Sequence, residues 1–210
     1  MRFIVVDGLD GSGKDTQAKL IKKRYESQGE IVLIRSHPER DNYYGKETKK
    51  ALLGTGKLNH FKASIFYALD VIYSIRKFYN KRGIDTFIIV RYLVGVAYLP
   101  FFLARILYHV FSTFLPMSSY MFFLDVTPQE SLRRLTTRSE REMFENLREL
   151  RHVRNKALQL VQDWHIIDGN HSIQETYAQI NRILDSLDTK KVNPLITLIP
   201  GERCNNTNTK

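Results

Sequence analysis

The chain has 210 residues, 43% of them hydrophobic, and carries 32 Lys and Arg against 22 Asp and Glu, a formal charge of +10. That length and apolar content suit one domain with a real core, and the charge favours anionic partners such as nucleotides, nucleic acid or acidic lipid. The single cysteine, Cys204, excludes a disulfide framework and a thiolate metal site, and fits a reducing cytoplasm.

In chain order, "RFIVV" (2–6) reads as a buried parallel strand that stops at Asp7-Gly8. Its apolar run is too short for a secretory signal. A helix is expected from about Gly13. "IVLIR" (31–35), "TFIIV" (86–90), "YMFFLDV" (120–126) and "WHIID" (164–168) repeat the strand signature, with helical spacing between them. Such alternation predicts an α/β fold, a five-stranded parallel sheet with helices on both faces. Between the second and third strands, two helices divided by Gly54 and Gly56 form an insertion. "YLPFFLARILYHVFSTFLPM" (98–117) approaches membrane-span length, but Arg105 and His109 at its centre favour a buried or interface helix over a span. Thr127 to Asp163 is expected to be helix, basic loop and helix. Ser172 and Glu175 form a capping box at the last helix. The domain is expected over 1–187, with a tail over 188–210.

Gly8 to Gly13-Lys14 matches G-x-x-x-x-G-K between a strand and a helix, the context in which backbone N–H groups and the lysine cradle phosphates. The candidate ATP-binding residues are Gly8, Leu9, Asp10, Gly11, Ser12, Gly13, Lys14, Asp15 and Thr16. Asp15 stands where a Ser or Thr usually supplies a neutral oxygen to Mg²⁺. A carboxylate 4 Å from phosphate is repelled by roughly 4 kcal/mol at an effective dielectric near 20, and a bound cation reverses that sign. Two readings stay open: a metal-holding Asp15, or an acidic first-turn residue that points outward and favours the helix dipole.

The ordered set "GLDGSGKDTQ", "HPER" (37–40), "YALD" (67–70), "RYLVGVAY" (91–98), "SEREMFEN" (139–146) and "IIDGNHSIQET" (166–176) resembles the thymidylate kinase family over roughly residues 1–187. The resemblance implies a three-layer P-loop NTPase fold with a mobile lid at about 137–145. It also implies Mg²⁺-dependent transfer of the γ-phosphoryl group of ATP to dTMP, giving dTDP, and a homodimer. On the matching positions, Asp10 contacts the 3′-hydroxyl of the acceptor, Arg40 and Arg91 hold its monophosphate, and Tyr67 stacks on its base. Lys14, Arg91 and the lid arginines Arg138 and Arg141 are the catalytic candidates, because Gly11 occupies the alternative P-loop position for an arginine. A nucleic-acid role lacks any reader motif, and no membrane contact is expected.

Three positions depart from the family pattern. Asp15 is one. Val90 replaces the acidic residue before Arg91, so a carboxylate is lost there while one is gained at Asp15, as if the metal site had moved. Val71 replaces an arginine that helps to recognise the base, which weakens discrimination among pyrimidines. The alternatives are therefore a kinase for another nucleoside monophosphate, or a noncatalytic nucleotide-binding protein.

Overall fold

The structure of the protein, a computed structural model, describes residues 1–54, 56–136 and 147–192. The lid arginines Arg138 and Arg141 and the residue Cys204 lie outside the described residues. Strands β1 (Arg2–Gly8), β2 (Val32–Ser36), β3 (Thr86–Val90), β4 (Tyr120–Asp125) and β5 (His165–Asp168) form one sheet in the order β2-β3-β1-β4-β5, every pairing parallel. Each expected strand is present.

Helices α1 (Lys14–Glu26), α2 (Tyr43–Leu52), α3 (Lys57–Phe78), α4 (Phe101–Phe114), α5 (Pro128–Leu135), α6 (Leu147–Leu160) and α7 (Ile173–Val192) connect and follow the strands. Successive strand residues point to opposite faces, so a strand buried on both sides must be apolar throughout. Phe3, Val5, Phe87, Ile89 and Phe123 join one core with Val71 and Ile75 of α3 and Val153 and Ala157 of α6. Ile4, Val6, Ile88, Val90 and Phe122 join the other with Ala18 and Ile21 of α1 and Ile180 and Leu184 of α7. The result is three layers, helix on sheet on helix.

Parallel pairing puts the carboxyl ends of all five strands at one edge. Because β1 is flanked by β3 and β4, the chain leaves it toward one side of the sheet and later returns to the other. The crevice outside the end of β1 is the switch point where open α/β sheets bind ligands.

The apolar segment 98–117 is α4 preceded by a 3₁₀ turn, Val94–Tyr98. Among the described residues no helix is long and apolar enough to cross a membrane. Of the expected alternatives, a buried or an interface helix, burial within the domain does not hold: only Ala104 of α4 is buried, while Phe102 and Phe114 are 78% and 81% exposed. The helix is apolar around most of its circumference but meets the domain on one side only.

Ser172 and Glu175 cap α7 reciprocally. The Ser172 Oγ accepts from the Glu175 N–H at 3.3 Å, and the Glu175 carboxylate accepts from the Ser172 N–H at 3.0 Å. The helix continues past Leu187 to Val192, and Asp188 on that extra turn accepts hydrogen bonds from Arg2, Arg24, Tyr25 and Tyr120.

Candidate active site

The loop from Gly8 to Lys14 joins β1 to α1 at the switch point. Gly11 and Gly13 have φ of 77° and 87°, a region that only glycine enters without strain. A Cβ on Gly11 would also lie 2.7 Å from the Ser131 carbonyl oxygen of α5, so no side chain fits there. An arginine from the P-loop is excluded by space as well as by sequence. Lys14 is buried; its Nζ donates to the Leu9 carbonyl at 2.7 Å and lies 3.5 Å from Asp10 Oδ1. Among the described residues the buried Ser12 hydroxyl has no hydrogen-bond partner.

Asp7, which sequence reasoning passed over as the end of a strand, ties the two halves of the site together. Its carboxylate accepts the N–H groups of Gly8, Tyr92 and Val94 at 2.8 to 3.0 Å, so β1 and the turn after β3 are held as one unit.

Arg91 begins that turn at φ 60°, a backbone strain of the kind that collects at functional sites. Its guanidinium lies 3.8 Å from Asp10 and 3.2 Å from Asp15. Asp10 also accepts the Tyr98 hydroxyl at 2.7 Å. Burial alone would raise Asp10, but Lys14, Arg91 and the Tyr98 hydroxyl outweigh it and hold the carboxyl at about 2. Burial also raises Asp15, and Arg91, Lys14 and Ser36 again bring it below the usual carboxylate range.

Asp15 does not simply point outward. It accepts the Ser36 hydroxyl at 2.5 Å and faces Arg91, with its side chain 42% exposed. Val90, the missing carboxylate, is fully buried between Val6 and Ser36 on the sheet face that α1 covers. Asp15 thus reaches the end of the strand next to β3 from the helix above. Mg²⁺ held together with nucleotide phosphates needs only one or two protein carboxylates, and Asp15, an oxygen donor at the P-loop, fits that demand. Among the described residues there is no cluster of three or more His, Cys, Asp or Glu that could hold a metal without phosphate.

Asp10, Lys14, Arg40, Tyr67 and Arg91 line one cavity of about 440 Å³. Five residues spread over a wide stretch of sequence therefore meet at one place. Arg40 is exposed at its rim, and Tyr67 packs against Gly95, where a Cβ would come within 2.6 Å of its ring. Burial, reinforced by Asp7, pushes the Tyr67 hydroxyl well above its ordinary value, so it stays an O–H group. Val71 lies on the same wall, 2% exposed and without a polar atom, and Arg76 is exposed to solvent.

A buried His37–Asp70 pair adjoins this wall, and sequence analysis gave neither residue a role. The signal was present, since both belong to motifs singled out above ("HPER" and "YALD"). Nδ1 of His37 is 2.8 Å from Asp70, whereas Nε2 is buried and has no partner among the described residues. An unsatisfied buried polar atom of this kind costs about 1–3 kcal/mol.

A second cavity, about 510 Å³, opens on the other side of the P-loop between Gly13, Thr16, Arg134, His171 and Thr176. Arg134 of α5 is a further residue that sequence analysis missed. It donates to the Gly169 carbonyl at 2.9 Å and lies 3.5 Å from the Gly11 carbonyl, while Glu130 holds its Nε at 2.7 Å. A guanidinium therefore stands beside Gly11, supplied by the helix that leads toward the lid.

A strand–glycine loop–helix with a buried lysine, set at the switch point of this sheet, defines a P-loop NTPase. Within that class, the sequence profile described as thymidylate kinase matches residues 6–180, and the chain belongs to the thymidylate kinase family. It is 26% identical over 220 residues to a probable thymidylate kinase of Thermococcus kodakarensis, covering 88% of this chain and 98% of that protein. It is 29% identical over 210 residues to a probable thymidylate kinase of Pyrococcus horikoshii, covering 85% and 93%. A solved thymidylate kinase structure from Candida albicans has the same fold, with a TM-score of 0.69 over 89% of this chain and 92% of that one, at 19% identity.

Proposed function

We propose that this thymidylate-kinase-like nucleoside monophosphate kinase transfers the γ-phosphoryl group of ATP to dTMP, giving dTDP. The observation that carries this reading is the single cavity in which Arg40, Arg91 and Tyr67 face Asp10 and Lys14. Two guanidinium groups suit the phosphate of a monophosphate, an aromatic ring suits its base, and the carboxylate suits a sugar hydroxyl.

The mechanism needs no covalent intermediate and no general base, because the acceptor phosphate is already an anion at neutral pH. The Gly8–Thr16 backbone and Lys14 hold the donor phosphates. Arg40 and Arg91 aim the acceptor, and Asp10, Asp15 and Ser36 steady Arg91 as it does so. Membership of the family implies Mg²⁺ with ATP; it would be held by Asp15 and would offset charge on the outer phosphates. Arg134 stands beside the P-loop as one cation for the transferring group, and the lid arginines Arg138 and Arg141 are proposed as others. A homodimer is proposed through α4, whose exposed Phe102, Ile106 and Phe114 are the kind of apolar side chains a second copy would cover.

A coupled assay with Mg-ATP and dTMP, dUMP, UMP, CMP and AMP, run beside Arg91→Ala, tests the proposal. The expected result is turnover of dTMP above the others and a loss of about 10²–10³ in kcat/KM for Arg91→Ala. Turnover of AMP or CMP in preference would remove the thymidylate assignment, and ATP binding without phosphorylation of any acceptor would leave a noncatalytic nucleotide-binding protein.

A further inference from the structure

We propose that the acceptor cavity also takes monophosphate esters of long apolar alcohols, and that this protein converts them to the corresponding diphosphates. The inference rests on reading Lys14, Arg40 and Arg91 as the phosphate end of that cavity, and goes beyond the nucleotide acceptor.

The cavity that holds these three cations continues along α4. Leu103, Leu107 and Phe111 line it at a spacing of four residues, which sets them one above another on a single helix face, and Leu115 just past the helix continues the row. From Leu103 to Phe111 the row is about 12 Å long at 1.5 Å per residue, so a pyrimidine ring covers only part of it. Leu93 and Leu99 after β3 line the same cavity. Leu107, Phe111 and Leu115 are partly buried, whereas Leu103 is 40% exposed, so the row opens to solvent at that end.

The side chains of this row are carbon alone and offer the polar edge of a base no hydrogen bond. Two hydroxyls that line the cavity are already engaged within the protein: Tyr92 donates to the Pro116 carbonyl at 2.9 Å, and Tyr98 to Asp10 at 2.7 Å. A polar group moved from water into this stretch loses its partners, whereas each methylene buried there gains about fourfold in binding. Cations at one end and a carbon-lined row at the other match an anionic head on an apolar tail. The reaction is the one already described with a different acceptor. An oxygen of the alkyl monophosphate bonds to the γ-phosphorus of ATP, the bond to the β,γ-bridging oxygen breaks, and its electron pair leaves on ADP. The product is an alkyl diphosphate, and no further reactant is required.

Butyl, octyl and dodecyl monophosphate with Mg-ATP, run beside dTMP, are the probes, and formation of the alkyl diphosphate is read directly by phosphorus NMR so that ATP hydrolysis is not counted. In the wild type, kcat/KM should rise by about tenfold or more from butyl to octyl, through KM. Leu107→Gln, which puts an amide into the row at a partly buried position, should lower kcat/KM for octyl monophosphate by about tenfold and leave that for dTMP within about twofold. Leu107→Met, apolar and of similar volume, should keep the wild-type pattern. Turnover of dTMP with no alkyl diphosphate formed, or alkyl turnover without a gain from butyl to octyl, overturns the inference; so does a folded Leu107→Gln that loses dTMP and octyl activity alike. The wild-type series decides the matter even if Leu107→Gln does not fold. If the alkyl monophosphates turn over with the chain-length gain and dTMP does not, the thymidylate reading fails and this one stands. If no acceptor of either kind is phosphorylated, both fall.

Discussion

Replacing Gly45 with alanine sets helix propensity against packing. Gly45 lies in the first turn of α2, and its N–H donates to the side chain of the cap residue Asn42 at 3.0 Å. In an ordinary helix alanine is favoured over glycine by about 1 kcal/mol, so propensity alone forecasts a more stable protein. The structure forecasts the opposite. A Cβ on Gly45 would lie 1.9 Å from the Glu39 carbonyl oxygen and 2.7 Å from the Glu39 nitrogen and carbonyl carbon. These are backbone atoms that cannot rotate aside, and widening 1.9 Å even to 3.0 Å parts helix and loop by 1.1 Å. Overpacking of this kind costs about 1–3 kcal/mol, enough to cancel or exceed the propensity gain.

The segment that must move carries His37 and Arg40, and the Glu39 N–H is itself bound to Asp70. A misplacement near 1 Å costs up to about 10²-fold in catalysis, so kcat/KM for dTMP should fall by tens of fold, chiefly through KM. Thermal unfolding and an acceptor titration on Gly45→Ala read both quantities. A higher Tm with an unchanged KM would refute the reasoning.

Three further outcomes are expected. The folded Asp10 carboxyl, at about 2, lies below its ordinary 3.8, so the stability it contributes is fully present above about pH 4 and is lost as pH falls through 2. The contribution is about 2 kcal/mol at most, and denaturant titrations at pH 6 and pH 3 should show that limb shrinking in Asp10→Asn. Asp15→Ser should raise the Mg²⁺ concentration needed for half-maximal turnover, and adding Val90→Asp should lower it again; an unchanged Mg²⁺ dependence in Asp15→Ser would sink the idea of a moved carboxylate. Ile106→Glu, on the exposed side of α4, should convert a dimer to monomers in sedimentation, whereas a wild type that is already monomeric at micromolar concentration would refute the dimer through α4.

Local chemistry decided what sequence alone could determine. The P-loop was legible because its glycines, lysine and flanking strand and helix are covalent neighbours, and the strands were legible because burial on both faces demands unbroken apolar runs such as 86–90. The acceptor arginines and Tyr67 were found through their motifs, yet nothing local says that they share one cavity. Tertiary structure decided that, because the order β2-β3-β1-β4-β5 brings the ends of β1, β2 and β3 together at the switch point. It also turned Asp15 toward Arg91, 76 residues away, and paired His37 with Asp70 across 33. For α4, sequence reasoning left the choice between a buried and an interface helix open, and packing resolved it against burial in the domain. Ala104, Leu107, Tyr108 and Phe111 meet the domain at helical spacing, but much of the remaining circumference is apolar too, so only packing against the rest of the chain shows how little of the helix is covered.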